Sequence, residues 1–210
     1  MKKQFALIIL SICLSFVACN NKTQTVEEGA TEQTTESNVV AEVGKVFNVK
    51  SGYAKFTTSM DLTRELWWDD YGNKQYEENY MEIMGYKSGT NILTVDGAKY
   101  EWDPEAKQGS KSKSYMAPAT DYSVMEDVDI KKYGVKFEGK EKIAGKECEV
   151  ISIQEPLKSK TWMWQGIALK SQTPFGKADM VMEAVEVREE SVDASKFEIP
   201  KDVKFKEVKF

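Results

Sequence analysis

The chain has 210 residues, 29 Lys and Arg against 34 Asp and Glu, a net charge of −5, 11% aromatic residues and no histidine. The acidity argues against a nucleic-acid partner, and the missing histidine removes the commonest general base, the commonest metal ligand and every Ser-His or Cys-His nucleophile pair. No GxSxG, Walker loop, dinucleotide fingerprint or metal-spaced Cys cluster appears, so the expectation is a non-enzymatic protein without metal or cofactor.

In chain order, Lys2 and Lys3, the apolar run from Phe5 to Val17 and the small Ala18 describe a removable signal peptide over residues 1–18. The run is shorter than the ~20 apolar residues of a membrane span. Phe16-Val17-Ala18-Cys19 resembles the lipobox of bacterial lipoproteins. That resemblance implies that Cys19 receives a diacylglyceryl group, becomes the N-terminus and anchors the protein to a membrane. Asn20 is not the Asp that retains some lipoproteins in the inner membrane, which points to the outer one, on its periplasmic or surface face. Without the signal, 27 basic residues face 34 acids, a balance of −7. Cys13 leaves with the signal and Cys19 is acylated, so Cys148 is alone and no intramolecular disulfide forms. Residues 20–43, rich in Thr, Glu, Gln and Asn and without aromatics, cannot offset the entropy of ordering and read as a disordered tether. Such a tether reaches about 25–30 Å on average.

Residues 44–210 read as one β domain. Apolar-alternating runs at 46–58, 61–68, 74–84, 91–95 and 98–102 are expected strands, with Asp96-Gly97 as a tight hairpin turn. The polar stretch 105–114 reads as a mobile loop. A capping box at Ser123-Val124-Met125-Glu126 starts a short helix near 124–133, and Gly134 ends it. Strands follow at 135–143, 147–153, 160–164, 167–173 and 178–188, then a helical turn at 193–197 and a last extended segment. In 178–188 both faces are apolar, which implies a covered second face. The fold class is therefore mainly β (α+β), an antiparallel meander of about 9–11 strands with one short helix.

The Gly134-Val135-Lys136…Gly139…Ile143-Ala144-Gly145-Lys146-Glu147-Cys148 hairpin is followed by Trp162-Met163-Trp164-Gln165-Gly166-Ile167-Ala168-Leu169-Lys170 and a closing Phe197-Glu198-Ile199-Pro200. In that order they resemble the LolA/LolB-like outer-membrane lipoprotein-sorting family and its uncharacterised lipoprotein relatives. The resemblance implies a strongly curved incomplete barrel whose concave side holds acyl chains. Trp162 with Trp164, and Tyr100 with Trp102, each share a sheet face, and Met180 and Met182 are soft, adaptable neighbours. Lining an apolar groove and filling the core both fit these six residues. Asp69-Asp70-Tyr71-Gly72-Asn73 reads as a turn before a Ca²⁺ loop, since the spaced acids and terminal Glu are missing. Lys107, Lys111 and Lys113 read as solvated, and Cys148, lacking an electropositive partner, as a buried small hydrophobe. The leading functional expectation is a membrane-anchored protein binding an acyl chain or lipoprotein lipid. The alternative is an envelope structural or protein-interaction module with a fully packed core.

Overall fold

The computed structural model describes residues 44–114 and 127–208. The signal segment, the tether and the capping box at 123–126 lie outside the described residues. Twelve strands form one sheet: β1 (Gly52–Thr58), β2 (Thr63–Asp69), β3 (Lys74–Ile83), β4 (Tyr86–Val95), β5 (Ala98–Asp103), β6 (Gln108–Lys113), β7 (Lys136–Ile143), β8 (Lys146–Ile153), β9 (Ser159–Trp164), β10 (Ile167–Phe175), β11 (Ala178–Arg188) and β12 (Lys204–Glu207). A helix, α1 (Asp127–Tyr133), precedes β7. The order across the sheet is β12-β6-β5-β4-β3-β2-β1-β11-β10-β9-β8-β7, so the ends do not pair and the curved sheet stays open. Two antiparallel meanders, β2–β6 and β7–β11, are joined through β1, which pairs with β2 on one side and β11 on the other.

Four two-residue hairpin turns place a residue of positive φ before a glycine: Met84-Gly85, Asp96-Gly97, Ala144-Gly145 and Gln165-Gly166. This backbone matches the strand twist, and the second position suits glycine because it has no Cβ to clash.

Three features differ from expectation. The stretch expected as a mobile loop contains β6, and the last extended segment, β12, runs parallel to it, so the sheet is mixed. The reason lies at Gly109, which stands opposite Trp102 on one side and Phe205 on the other. A Cβ there would sit 2.6 Å from the Trp102 Cβ, so the rings of Trp102 and Phe205 meet over a bare backbone, 5.9 Å apart edge to face. Those neighbours supply the apolar surface that β6 lacks. In β11 the register shifts between Lys55 and Phe56, so that Phe56 faces Ala184 and Lys55 faces Glu186. The extra residue is Val185, 55% exposed, and Val187 returns to the face of Ala184 and Met182. Much of the second apolar face read from the sequence is thus a β-bulge, which leaves half-buried Val181 as its one valine on that face.

Candidate functional site

Strict alternation in β2 sends Leu66 and Trp68 to one face of the sheet and Trp67 to the other. On the first face a single cluster takes Ala54 and Phe56 from β1, Leu66 and Trp68 from β2, Ile143 from β7, Cys148 and Val150 from β8, Trp162 and Trp164 from β9, Ile167 and Leu169 from β10 and Ala184 from β11. Seven adjacent strands can share one cluster only by curling around it, so this is the concave side.

The strap over residues 46–49, just before β1, closes that side. The backbone N–H groups of Val46 and Phe47 donate to the Tyr71 carbonyl at 2.9 and 2.8 Å, and that of Asn48 to the Gln165 carbonyl at 2.9 Å. Phe47 meets the Trp68 ring edge-on at 6.0 Å and lies over Gly72, where a Cβ would come within 2.6 Å. Trp68 is fully buried, and its indole Nε1–H has no hydrogen-bond partner among the described residues. Cys148 is also fully buried, and burial pushes its thiol pKa up, as suits an inert core residue.

The opposite face of β2–β5 carries a second cluster of Leu93, Val95, Tyr100, Trp102 and Phe197, with Trp67, Tyr76 and Phe205 against it. It is roofed by the 3-10 turn Ala194–Phe197, whose start is capped by Asp193 accepting from the Ser195 N–H at 2.9 Å. Lys196 from this turn lies 3.8 Å from the centre of the Trp67 ring.

The six residues singled out from the sequence therefore separate. Trp162 (4% exposed), Trp164 (9%) and Met182 belong to the concave cluster. Tyr100 and Trp102 lie under the roof on the other face, and half-buried Met180 belongs to neither cluster. The strap residue Phe47 escaped sequence reasoning, because 46–58 reads as one continuous strand. The signal available was the Lys50-Ser51-Gly52 break. Asp70–Gly72 forms a 3-10 turn with Tyr71 in the left-handed region. Beside it opens a polar cavity of about 310 Å³, lined by Asp70, Asn73, Lys74, Thr94 and Asp96. None of its lining residues belongs to the concave cluster.

A half-buried polar network braces β1–β3. Glu65 accepts from the Tyr53 hydroxyl at 3.1 Å and the Tyr80 hydroxyl at 2.8 Å, with the Lys55 ammonium 3.3 Å away. Burial pushes the Glu65 carboxyl up, but the two phenols and Lys55 outweigh it and hold the group below its ordinary 4.5. Burial and then Glu65 push Tyr80 from 10.0 up to about 12 and raise Tyr53 as well. Glu77 is likewise held low, the Arg64 guanidinium at 2.8 Å overcoming the upward push of burial. By linkage, the carboxylate contributions are complete above pH 4.5 and vanish as pH falls below it. The tyrosine contributions are complete below pH 10 and vanish as pH rises toward 12. The urea midpoint is accordingly expected to be flat between these limits and to drop on both flanks. Glu65→Gln removes part of the alkaline drop, since burial still raises Tyr53, Tyr80 and Tyr76, and part of the acid one, since Glu77 keeps its own.

The structure thus defines an open, strongly curved β-sheet with an apolar concave face and a strap across it. An uncharacterised conserved protein from Thermus thermophilus shares this fold, with a TM-score of 0.54 at 10% identity over 76% of this chain and 91% of that one. The Pseudomonas aeruginosa MucA/MucB complex is similar at a TM-score of 0.47 and 14% identity over 73% of this chain, which spans 57% of that chain's length. A putative outer membrane lipoprotein-sorting protein domain from Vibrio parahaemolyticus is similar at a TM-score of 0.29 and 12% identity, over 70% of this chain and 89% of that one. At 10% identity the likeness to the Thermus thermophilus protein is one of fold alone. No protein-family model and no curated protein matches the chain.

Proposed function

We propose that the chain is a lipid-anchored, non-enzymatic protein of the bacterial envelope whose concave face takes up an acyl chain when the strap over 46–49 lifts. The anchor is Cys19, on the strength of the lipobox resemblance, and the outer membrane is its site. The observation that carries the ligand reading is the strap itself. An apolar face built from seven strands is closed by four residues held through three backbone hydrogen bonds and one large buried side chain, Phe47. Burying each CH₂ yields about 0.8 kcal/mol. About six methylenes therefore match the ~3–5 kcal/mol that losing a buried Phe costs.

A second reading, a module with a permanently packed core and a protein partner, is favoured by the near-complete burial of Trp162 and Trp164. Native mass spectrometry of the mature chain separates the two. Under the carrier reading a stoichiometric adduct releases a fatty acid or phospholipid, and Phe47→Ala increases uptake of a fluorescent fatty acid. Trp164→Ala then weakens that uptake more than it weakens the fold. A clean mass with no uptake, together with a loss of ~3–5 kcal/mol on Trp164→Ala, supports the packed-core reading instead.

A further inference from the structure

The exposed large hydrophobic side chains are not scattered. The registers place the turns β1–β2, β3–β4, β5–β6, β8–β9 and β10–β11 at one end of the strands, and the strap, β2–β3, β4–β5, β7–β8 and β9–β10 turns at the other. At the strap end the turns carry Asp70-Tyr71-Gly72, Asp96-Gly97, Ala144-Gly145 and Gln165-Gly166. At the far end, exposed apolar side chains stand on four of the five hairpin turns: Met60, then Ile83, Met84 and Tyr86, then Leu157, then Phe175, while the β5–β6 turn carries Pro104, Glu105 and Lys107. Met84 is 95% exposed and Tyr86 78%.

The geometry makes these tips protrude. Thr63 of β2 pairs with Tyr80, so the β3–β4 hairpin runs on for the pairs Met81–Ser88, Glu82–Lys87 and Ile83–Tyr86, about 10 Å past β2. On the other side of β1, Thr58 pairs with Met182 while β10–β11 continues to Phe175–Ala178, about 14 Å further. Two apolar-tipped hairpins thus flank the lower β1–β2 turn with its Met60. Within two residues of three of the tips stands a lysine: Lys87 after Tyr86, Lys158 after Leu157 and Lys177 after Phe175. A ring-bearing tyrosine with apolar tips and long cationic side chains is the composition that settles at a bilayer's headgroup level, the apolar part below and the ammonium groups at the phosphates.

We infer that this far end docks on a phospholipid bilayer, the apolar tips entering the interface and the strap end pointing away. The occupant is argued from the chain's own N-terminus, and in this respect the inference rests on the reading that Cys19 carries the lipid. Residues 20–43 span at most about 80 Å when extended. That exceeds the ~34 Å length of the ten-residue β3, so a lipid on Cys19 can lie in the same bilayer that the far end touches, although the domain begins at the strap end. Docked this way, the anchor supplies proximity and the tips supply orientation.

The test uses the mature chain with Cys19→Ser, which carries no lipid, and vesicles of phosphatidylethanolamine and phosphatidylglycerol in a flotation assay. It is expected to bind, and the pair Met84→Ser and Tyr86→Ser to weaken binding about tenfold or more. Phe175→Ser is expected to weaken it more modestly. Val185→Ser, an equally exposed apolar residue on the flank of β11, leaves it unchanged. Circular dichroism checks that all variants stay folded, which their exposure favours. The inference is overturned if the Cys19→Ser chain does not bind vesicles, or if Val185→Ser weakens binding as much as the tip substitutions. It is also overturned if the tips instead drive self-association without vesicles, which would make the far end a contact between copies. Each of these outcomes leaves the ligand and the Cys19 lipid untouched, since mass spectrometry of the native protein reads those separately.

Discussion

Trp68→Ala is expected to remove about 3–5 kcal/mol of folding stability, whereas Trp68→Phe costs only about 1 kcal/mol. The ring is fully buried at the centre of the concave cluster, edge-on to Phe47 and against the backbone of Gly52. Alanine leaves a cavity that seven strands and the strap cannot all collapse into. Phenylalanine also loses volume, but it removes an indole N–H that is buried without a partner among the described residues, and such a group carries a desolvation cost of about 1–3 kcal/mol. The two contributions oppose each other only in the phenylalanine variant. Urea unfolding of both variants reads the difference directly. If phenylalanine proves as costly as alanine, the indole N–H has an acceptor in solution. A headgroup or carboxyl oxygen entering with an acyl chain is the acceptor that the proposed function provides, so the same pair of variants should then differ in fatty-acid uptake.

The fold was largely legible where apolar periodicity coincides with turn chemistry. The β4–β5 turn follows from Asp96-Gly97, and β11 from 178–188 was bounded correctly because its neighbours end in Gly176 and in the acidic run after Arg188. The helical turn expected at 193–197 is the 3-10 turn Ala194–Phe197, which Asp193 caps. Legibility failed where the information sits on another strand. Nothing in Gln108–Lys113 marks a strand, because its pairing is justified by Trp102 and Phe205 meeting over Gly109. The bulge at Val185 is invisible for a related reason, since only the pairing with Lys55 and Phe56 reveals the extra residue. The candidate site was legible in part. Paired aromatics mark apolar sheet faces and read as one groove or core, because a period of two cannot say that Trp162-Trp164 and Tyr100-Trp102 end on opposite sides of one sheet. That requires the strand order, and above all the placement of β1 between the meanders.

Gly52→Ala is the sharpest test of that placement, with an expected loss of about 3 kcal/mol or more, beyond the usual range for one added methyl. A Cβ at Gly52 would sit 2.3 Å from the Arg188 carbonyl and 2.5 Å from the Trp68 ring. Both neighbours are held in place, Arg188 by the β1–β11 ladder and Trp68 by the concave cluster. Gly145→Ala is the control. It has positive φ but open space around it, so only the left-handed backbone penalty of about 1–2 kcal/mol applies. Thermal unfolding is expected to rank the two in that order, and equal losses would show that β1 is free to shift away from β11. The consequence for function follows from chain connectivity. Gly52 comes three residues after Val49, the last strap residue packed on the concave cluster. Displacing the start of β1 draws the strap outward, so at temperatures where the variant remains folded Gly52→Ala should take up fatty acid more readily than the parent chain. A variant that loses stability yet gains uptake is the outcome that a permanently packed core does not produce.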